Sequence, residues 1–448
     1  MRRLLLLAAT ALVAVACHGN DPATGSGTGP ASIPPSIPPQ ATPSPVASAA
    51  PVAPASAAPS AAPSPATVTE VATPDIKPDS HGADKPAEPP PPGGHDFTPE
   101  GKALLAVGAC GDIAPPDGFD PKVLAAHCDI IKKAQADYLA QWVRPARSFF
   151  GEHVPSGLSK KVVYPFAGGD LSTALTVYPD ADEITTLSLE PAGDPRDMGM
   201  LKGKELDRAL EKVEFELKFL YRVNFSNTIN MIDAMREGSL PTQLIFGLSA
   251  LKIHGYEVVS LRYFKLDPEG RIRYLEDADV AAAPSPAKAK PQVRNRIFAN
   301  VEVQFRKPGG RIQVYRHIQQ NLDNEHLKAD PRVLKHLEAK GEISGMTKAA
   351  SYLLSWDSFS LMRNYLTSHV AWMVSDATGV APKWGKPAGF EYETYGDFIG
   401  PHIPAGNSIA KDWRVEFEAQ SKRPLPFRFG YYDKKNANHL VIMRKKKP

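Results

Sequence analysis

The sequence predicts an α/β fold, with a parallel βαβ core and additional antiparallel hairpins in the C-terminal half of the chain. Two short apolar runs, at 162–166 and 184–189, lie on either side of a helical pattern at 171–178. A turn containing Gly168 and Gly169 separates the first run from this helix. Strand, turn, helix and strand in this order make a βαβ unit, whose strands pair in parallel through a right-handed crossover.

The remaining elements follow from apolar spacing and from turn residues. Paired strand-like runs joined by short turns predict two hairpins, one over 256–274 and one over 301–318. Apolar residues at helical spacing predict helices at 121–150, 205–221, 227–236, 241–253 and 331–339. We therefore expect helices and strands to alternate in the first part of the domain and strands to be more frequent in the second.

The first 16 residues have the composition of a secretion signal. Arg2 and Arg3 provide a positively charged start, and residues 4–15 are apolar except for Thr10. This run is shorter than the roughly 20 residues that a transmembrane helix needs. Its length suits the apolar region of a signal peptide. Small residues then lead into a cysteine, in the sequence AVAC at 14–17.

The AVAC sequence resembles the lipobox of bacterial lipoproteins. The resemblance implies that Cys17 receives a diacylglycerol group on its sulfur and becomes the N-terminus after residues 1–16 are removed. Several acyl chains give firm membrane anchoring, whereas one chain gives only marginal binding. His18 stands where an aspartate would indicate retention in the inner membrane, so we expect a lipid anchor in the outer membrane, facing the periplasm or the cell surface. The alternative is an ordinary cleaved signal, after which Cys17 is lost or left as a free thiol.

Residues 17–96 are expected to form a disordered linker behind this anchor. The segment is rich in Pro, Ala and Ser and lacks Phe, Trp and Tyr, so it buries too little apolar surface to offset its ordering entropy. Proline favours extended polyproline II, and about 75 such residues would reach on the order of 230 Å at most. The globular α/β domain is expected over 97–448.

Two cysteines remain besides Cys17, and the oxidising compartment beyond the inner membrane allows them to pair. Cys110 and Cys128 would close a loop of about 18 residues, which is worth roughly 3 kcal/mol in the chain-entropy model. We predict a disulfide between them. The alternatives are two unpaired thiols, or a two-cysteine metal site, which the lack of a histidine pair at finger-like spacing disfavours.

The turn at Gly168 and Gly169 is a candidate ligand-binding loop. Strand, glycine turn, helix and then an acidic residue, Glu190, about 20 positions further on have the layout of the first crossover of a class I methyltransferase or another Rossmann fold. In those folds the glycines let the backbone approach a nucleotide, and the acid binds ribose hydroxyls. The expected βαβ core is therefore Rossmann-like.

Three observations count against a nucleotide at this loop. The two glycines are adjacent, whereas nucleotide-binding loops have spaced glycines. Asp170 occupies the place where a phosphate would meet the helix N-terminus, and there it is explained as an N-cap. An exported protein also has little access to S-adenosylmethionine or NAD. We therefore expect a Rossmann-like scaffold without its usual ligand, and no cofactor.

Four motifs follow one another along 160–440. They are YPFAGGD at 164–170, SLEPAG at 188–193, KAASY at 348–352 and LPFRFGY at 425–431. Together they resemble an uncharacterised family of bacterial conserved hypothetical proteins and lipoproteins, many of which carry secretion signals. This chain departs from the pattern at Ala377, where a second acidic residue is expected after Asp376. Since the family has no activity attached to it, the resemblance implies a shared fold and no reaction.

The candidate catalytic residues are Asp170, Glu190, Lys348 and Asp376. Asp170 and Glu190 follow neighbouring strands of the βαβ unit, so both should lie at the carboxyl edge of the sheet, where open α/β sheets place their sites. Two adjacent carboxylates there would serve acid/base catalysis or hold a cation. In the alternative interpretation Asp170 caps a helix, Glu190 pairs with a basic residue, and Lys348 and Asp376 make ordinary surface bonds.

The sequence favours no other chemistry. It contains no H-E-x-x-H, G-x-S-x-G or EF-hand pattern, so neither a metal site nor a serine-hydrolase site is predicted. A formal net charge of +3, part of which belongs to Arg2 and Arg3, leaves no electrostatic footprint for nucleic acid. We expect an envelope lipoprotein whose α/β domain binds an envelope protein or a cell-wall polymer. The alternative is an enzyme with a methyltransferase-like fold and a site around Asp170 and Glu190.

Overall fold

The computed structural model describes residues 93–115, 117–223, 240–286, 288–398, 406–430 and 438–446. The chain divides into two units, Met1–Asp79 and Ser80–Pro448, and all of the described residues belong to the second. The predicted signal peptide, Cys17, most of the linker and the predicted helix at 227–236 lie outside the described residues. The lipid anchor and the disordered linker therefore stay predictions.

One ten-stranded sheet organises the second unit. In chain order its strands are β1 Lys161–Pro165, β2 Glu183–Ser188, β3 Glu257–Leu266, β4 Ile272–Tyr274, β5 Asn300–Arg306, β6 Gln313–Gln319, β7 Ile343–Met346, β8 Val370–Ser375, β9 Phe390–Asp397 and β10 Asn438–Lys445. Their spatial order is β4-β3-β5-β6-β2-β1-β7-β8-β10-β9. The prediction of an α/β fold with antiparallel hairpins in the C-terminal half is confirmed.

The helices follow the sequence pattern closely. In chain order they are α1 Thr98–Val107, α2 Pro121–Tyr138, α3 Arg144–His153, α4 Leu171–Val177, α5 Lys204–Val223, α6 Thr242–Ile253, α7 Asp277–Ala282, α8 Pro291–Arg294, α9 Asn324–Ala329, α10 Arg332–Glu338, α11 Ser360–His369, α12 Pro382–Gly385 and α13 Gly406–Glu418. A π-helical turn, Leu139–Val143, joins α2 to α3. Within the described part of the chain, no helix combines the length and the apolar character needed to cross a bilayer.

Five parallel strands form the centre of the sheet, in the order β6-β2-β1-β7-β8. β1 and β2 pair in parallel with Val162 opposite Ile184, and α4 connects them, so the predicted βαβ unit is confirmed. The chain fills one side of β1 with β2 and β6, and later the other side with β7 and β8. Such a reversal of strand order opens a crevice at the carboxyl ends of the strands, where open α/β sheets bind ligands. We call the space beside the carboxyl ends of β1 and β7 the switch-point crevice.

Antiparallel strands extend the sheet at both ends. The predicted hairpins add β4, β3 and β5 beside β6. At the other end β10 lies antiparallel between β8 and β9, so β9 runs in the direction of β8. Successive side chains point to opposite faces: Val162 and Tyr164 pack on the face that α1 to α6 cover, whereas Val163 and Leu187 pack on the face that α9 to α13 cover.

The outer edge of β9 is bonded to the segment that follows α13. The Thr394 amide donates to the side-chain oxygen of Gln420 at 3.1 Å, and the Gln420 side-chain nitrogen donates to the Tyr392 carbonyl at 3.0 Å. The Gly396 amide donates to the Arg423 carbonyl at 2.8 Å. These contacts satisfy backbone groups that an edge strand otherwise presents to solvent.

Candidate functional site

The four candidate catalytic residues lie beyond the carboxyl ends of four adjacent strands. Glu190 follows β2, Asp170 follows β1, Lys348 follows β7, and Asp376 directly follows β8. Each of them is at most 1% exposed. The structure therefore brings them to one edge of the sheet, as the strand order requires, and the surface positions considered for Lys348 and Asp376 are wrong.

Asp170 is held by a helix cap, a tyrosine and an ammonium group. One carboxylate oxygen accepts hydrogen bonds from the Thr173 amide at 3.3 Å and from the Thr173 hydroxyl at 2.7 Å, which makes Asp170 the N-cap of α4. The other oxygen accepts from the Tyr164 hydroxyl at 3.1 Å and pairs with the Lys348 ammonium. Both carboxylate oxygens are thus engaged within the chain.

Lys348 is a buried cation between two carboxylates. Its Nζ pairs with Asp170 and donates to the Thr173 hydroxyl at 2.8 Å. Burial lowers the pKa of Lys348, while the charges of Asp170 and Asp376 raise it. The Phe429 ring centroid lies 5.4 Å from Nζ. The ammonium therefore neutralises the buried Asp170 carboxylate, and the Phe429 ring lies beside it.

The Asp376 carboxylate joins its own loop to the loop that carries Lys348. Asp376 accepts from the Ala349 amide at 3.2 Å, from the Thr378 amide at 2.9 Å and from the Thr378 hydroxyl. Ala349 has φ 57°, and Phe166, directly after β1, has φ 58°. Left-handed backbone is costly for such residues and persists where the surroundings over-determine it. Strain is therefore stored on the loops after β1 and β7, at the switch-point crevice.

Glu190 differs from the other three residues. It is fully buried, yet neither carboxylate oxygen has a hydrogen-bond partner among the residues that the structure describes. The alternative interpretation, in which Glu190 pairs with a basic residue, is therefore wrong within that part of the chain. Its backbone carbonyl accepts from Nε2 of His317 at 2.6 Å, and Nδ1 of His317 lies 3.2 Å from the Gln243 side-chain nitrogen.

His317 provides a test of stability against pH. Burial lowers its pKa to about 4, from an unperturbed value of about 6.5. Between these values the unfolded chain binds the proton and the folded chain does not, so stability falls as the pH falls. We expect His317 to account for about 2 kcal/mol of the stability lost between about pH 7.5 and 4.5. Urea unfolding of wild type and His317→Gln at both pH values should show a smaller loss in the variant; equal losses would contradict the assignment.

The glycine turn packs against α6. Gly168 has φ 53°, and its carbonyl accepts from the Gln243 side chain at 2.8 Å. A Cβ atom at Gly169 would overlap the ring of Phe246. The absence of a side chain at Gly169 thus admits an aromatic ring of the chain itself to the space in front of the turn. The ligand-binding role of Gly168 and Gly169 stays a prediction.

Aromatic residues from α2 and the π-helical turn cover the rest of the switch-point crevice. Tyr138 and Trp142 stack with ring centroids 5.4 Å apart and planes inclined by 2°, and Tyr221 of α5 stacks on Tyr138 at 5.0 Å. The Trp142 ring centroid lies 6.0 Å from Nζ of Lys348. Burial, followed by the charge of Asp170, raises the pKa of Tyr138. The aromatic stack therefore lies directly over the buried Asp170–Lys348 pair.

On the outer side of this stack is a pocket of about 850 Å³ between α2 and α5. We call it the α2–α5 pocket. The residues that line it are Ala134, Asp137, Tyr138, Gln141, Trp142, Glu211, Glu214, Phe215, Lys218, Phe219, Tyr221, Arg222 and Arg428. Sequence reasoning did not find this pocket, since its walls come from three distant segments. The one available signal was the row of charged and aromatic residues at helical spacing along α5.

The predicted disulfide between Cys110 and Cys128 is confirmed, with Cα atoms 5.3 Å apart. It ties the middle of α2 to the segment after α1. Replacing both cysteines by serine should lower the free energy of unfolding by about 3 kcal/mol, because the bond restricts the unfolded chain. Urea unfolding with and without reductant would measure this. A reductant should destabilise the wild type and leave the double variant unchanged; an unresponsive wild type would refute the prediction.

Comparisons of the chain with protein-family models, curated proteins and solved structures return no match. The resemblance of the motifs in 160–440 to a bacterial family therefore stays a prediction. Within the described ranges, no group of three or more His, Cys, Asp or Glu side chains is placed to hold a metal ion. Function must be argued from the mixed α/β fold and from the geometry of the switch-point crevice and the α2–α5 pocket.

Proposed function

We propose that this chain is a lipoprotein of the cell envelope, anchored through Cys17, whose α/β domain binds an envelope partner in the α2–α5 pocket. One observation carries the proposal: the chain's own side chains occupy the switch-point crevice, while a pocket remains open on its outer side. Asp170 and Lys348 neutralise each other. A binding site between helices with an aromatic wall has the usual composition of a ligand pocket.

The anchor is tested by metabolic labelling with a fatty acid in cells that make the full chain. The wild type should incorporate the label and sediment with outer membranes. Cys17→Ser should lose the label and move to the soluble envelope fraction. An unlabelled wild type, or a labelled Cys17→Ser variant, would contradict lipidation at this residue.

Binding is tested in cells with a photo-crosslinking amino acid placed at Phe215. This side chain is 60% exposed at the pocket. The matched control is Val415, which is 55% exposed on α13, away from the pocket. We expect a defined envelope component to be captured from position 215 and not from position 415. Identical products from both positions would count against the α2–α5 pocket.

Glu190 supports a second candidate, an enzyme with a methyltransferase-like fold. The carboxylate at the end of β2 is buried and lacks hydrogen-bond partners in the described part of the chain. If the five parallel strands are numbered in chain order, their order across the sheet is 3-2-1-4-5. This order is typical of folds in which the acid after the second strand binds ribose hydroxyls. Calorimetry of the full chain with S-adenosylmethionine and NAD tests this candidate. Binding that Glu190→Gln abolishes would support an enzyme, and no binding would support the first proposal.

Glu190→Gln also predicts a change in stability. A buried carboxylate without partners is costly, so the neutral amide should raise the free energy of unfolding by about 1–3 kcal/mol. A substitution that raises stability in this way is typical of a residue that serves function or has no role, and not of a residue that supports the fold. Urea unfolding measures the change, with Glu391→Gln, at an exposed side chain of β9, as the control. A destabilised variant would show that the carboxylate has a structural partner.

A further inference from the structure

The α2–α5 pocket presents an exposed aromatic ring beside buried ones. Phe215 is 60% exposed, more than any other large apolar side chain in the described part of the chain. Half-buried Phe219 follows it by one turn on the same face of α5. The stacked rings of Tyr138, Trp142 and Tyr221 line the same pocket and are each at most 9% exposed. The pocket therefore offers an apolar ring face to a ligand.

Exposed polar side chains surround these rings. Five of them line the pocket: Asp137, Gln141, Glu211, Lys218 and Arg222. Within the described residues, none of these five side chains takes part in an ion pair or a hydrogen bond. The two carboxylates accept hydrogen bonds, the lysine and the arginine donate them, and the amide does both. The pocket therefore offers a ligand hydrogen-bond donors and acceptors together.

Acids and bases are interspersed around the pocket. On α5, Glu211 lies about 16 Å before Arg222 along the helix axis. On α2, Asp137 precedes Tyr138, whose ring stacks on Tyr221 at 5.0 Å. Because Tyr221 directly precedes Arg222, Asp137 lies at the Arg222 end, and carboxylates stand at both ends of the wall. Three acids of the lining balance its three bases. An ionic ligand of either sign would meet charges of its own sign, so the lining suits an uncharged ligand.

Uncharged ligands differ in what they would leave unsatisfied in this pocket. An acyl chain would cover the polar side chains without bonding to them, which is costly. A peptide docks through an exposed strand edge, an apolar groove or a row of exposed rings. Here both walls are helices, and of the described rings that line the pocket Phe215 alone is exposed. A sugar ring has hydroxyl groups, which both donate and accept, around an apolar face of C–H bonds that packs on an aromatic ring. The lining therefore matches a saccharide.

We propose that the α2–α5 pocket binds an uncharged oligosaccharide, with a sugar ring packed on Phe215 and sugar hydroxyl groups bonded to Asp137 and Glu211. This inference rests on the α2–α5 pocket being the ligand site of the proposed function, and it makes the envelope partner a glycan. Gln141 and Lys218 donate to further oxygens of the sugar. The volume of about 850 Å³ lies within the range of sites that enclose small ligands.

The test is calorimetry of the full-length chain, purified in a detergent that has no sugar headgroup. The probes are two uncharged tetrasaccharides, chitotetraose and cellotetraose, and a tetra-alanine peptide blocked at both ends. We expect at least one tetrasaccharide to bind and the peptide not to bind. Since the ligand is uncharged, raising the salt concentration from about 50 to about 500 mM should change its affinity less than about twofold. Binding of the peptide, no binding of either tetrasaccharide, or a loss of about tenfold with salt would overturn the proposal.

Phe215→Ala and Asp137→Ala place the sugar in the pocket. Each should weaken tetrasaccharide binding about tenfold, because the first removes the ring face and the second a charged hydrogen-bond acceptor. Both side chains are exposed, so urea unfolding of the two variants should match the wild type. The matched controls are Val415→Ala on α13 and Asp129→Ala, an exposed position of α2 outside the lining, and both should keep the affinity of the wild type. Unchanged affinity in Phe215→Ala and Asp137→Ala would overturn the proposal.

The outcomes separate this inference from the proposed function. If position 215 captures an envelope protein in cells and neither tetrasaccharide binds, the pocket is a ligand site and the glycan inference fails. Capture of a glycan strand at position 215, and not at position 415, would support both. If position 215 captures nothing beyond the position 415 control, the proposed function itself fails.

Discussion

Replacing Lys348 by methionine should lower the free energy of unfolding of the α/β domain by about 3–5 kcal/mol. The ammonium is fully buried and pairs with Asp170, so its removal leaves the buried Asp170 carboxylate without this cation. Methionine retains most of the side-chain volume, and the loss therefore reports on charge. Urea or thermal unfolding of the full chain would measure it.

Two further variants test whether the loss of stability comes from the buried charge of Lys348. Lys422→Met removes a lysine whose pair with Asp397 is exposed on both sides, and it should cost less than about 1 kcal/mol. Adding Asp170→Asn to Lys348→Met should recover part of the loss, because the buried carboxylate that lost its cation is then replaced by a neutral amide. If Lys348→Met is as mild as Lys422→Met, Lys348 is not the cation that neutralises Asp170.

Phe246→Ala should also cost about 3–5 kcal/mol, since it removes a fully buried ring. The ring lies where a Cβ atom of Gly169 would be, on the turn after β1. The variant thus leaves a cavity beside the glycine turn, at the place where a nucleotide would approach the backbone. Unfolding in urea gives the stability, and calorimetry with S-adenosylmethionine and NAD shows whether the opened crevice has gained a ligand.

Gly169→Ala is the informative partner of this variant. In the wild type the added methyl overlaps Phe246 and should destabilise the domain by about 1–3 kcal/mol. In the Phe246→Ala background the overlap is absent, so the same substitution should be close to neutral. The two effects are expected to be strongly non-additive, as for residues in contact. Additive effects would show that Phe246 does not occupy the space in front of the turn.

The local sequence pattern was sufficient to predict the first strands and helix of the sheet and the edge of the sheet at which the candidate catalytic residues lie. The apolar runs around Gly168 and Gly169 predicted β1, α4 and β2, because a βαβ unit is specified by contiguous residues. Parallel pairing then places Asp170 and Glu190 at one edge, and β7 and β8 add Lys348 and Asp376 there.

What covers this edge could not be predicted, because it comes from segments remote in sequence. Phe246 and Trp142 had the apolar spacing of any buried helical face, and nothing local shows that they fill the switch-point crevice. The isolation of Glu190 depends on which side chains fail to reach it, which no spacing reveals. The α2–α5 pocket likewise arises only where two helices meet.

The hydrogen bonds along the outer edge of β9 affect how copies of this protein interact with one another at high concentration. Main-chain groups of Tyr392, Thr394 and Gly396 are already engaged by Gln420 and Arg423. A neighbouring molecule therefore finds no ready template there for adding its own strand. If the proposed lipid anchor holds the protein on a membrane surface, its local concentration is raised, and a sheet with an open edge strand would then be prone to polymerise. Gln420→Ala removes the hydrogen bonds to Tyr392 and Thr394 and so exposes this part of the edge strand. It should convert a protein that is monodisperse in solution into one that self-associates.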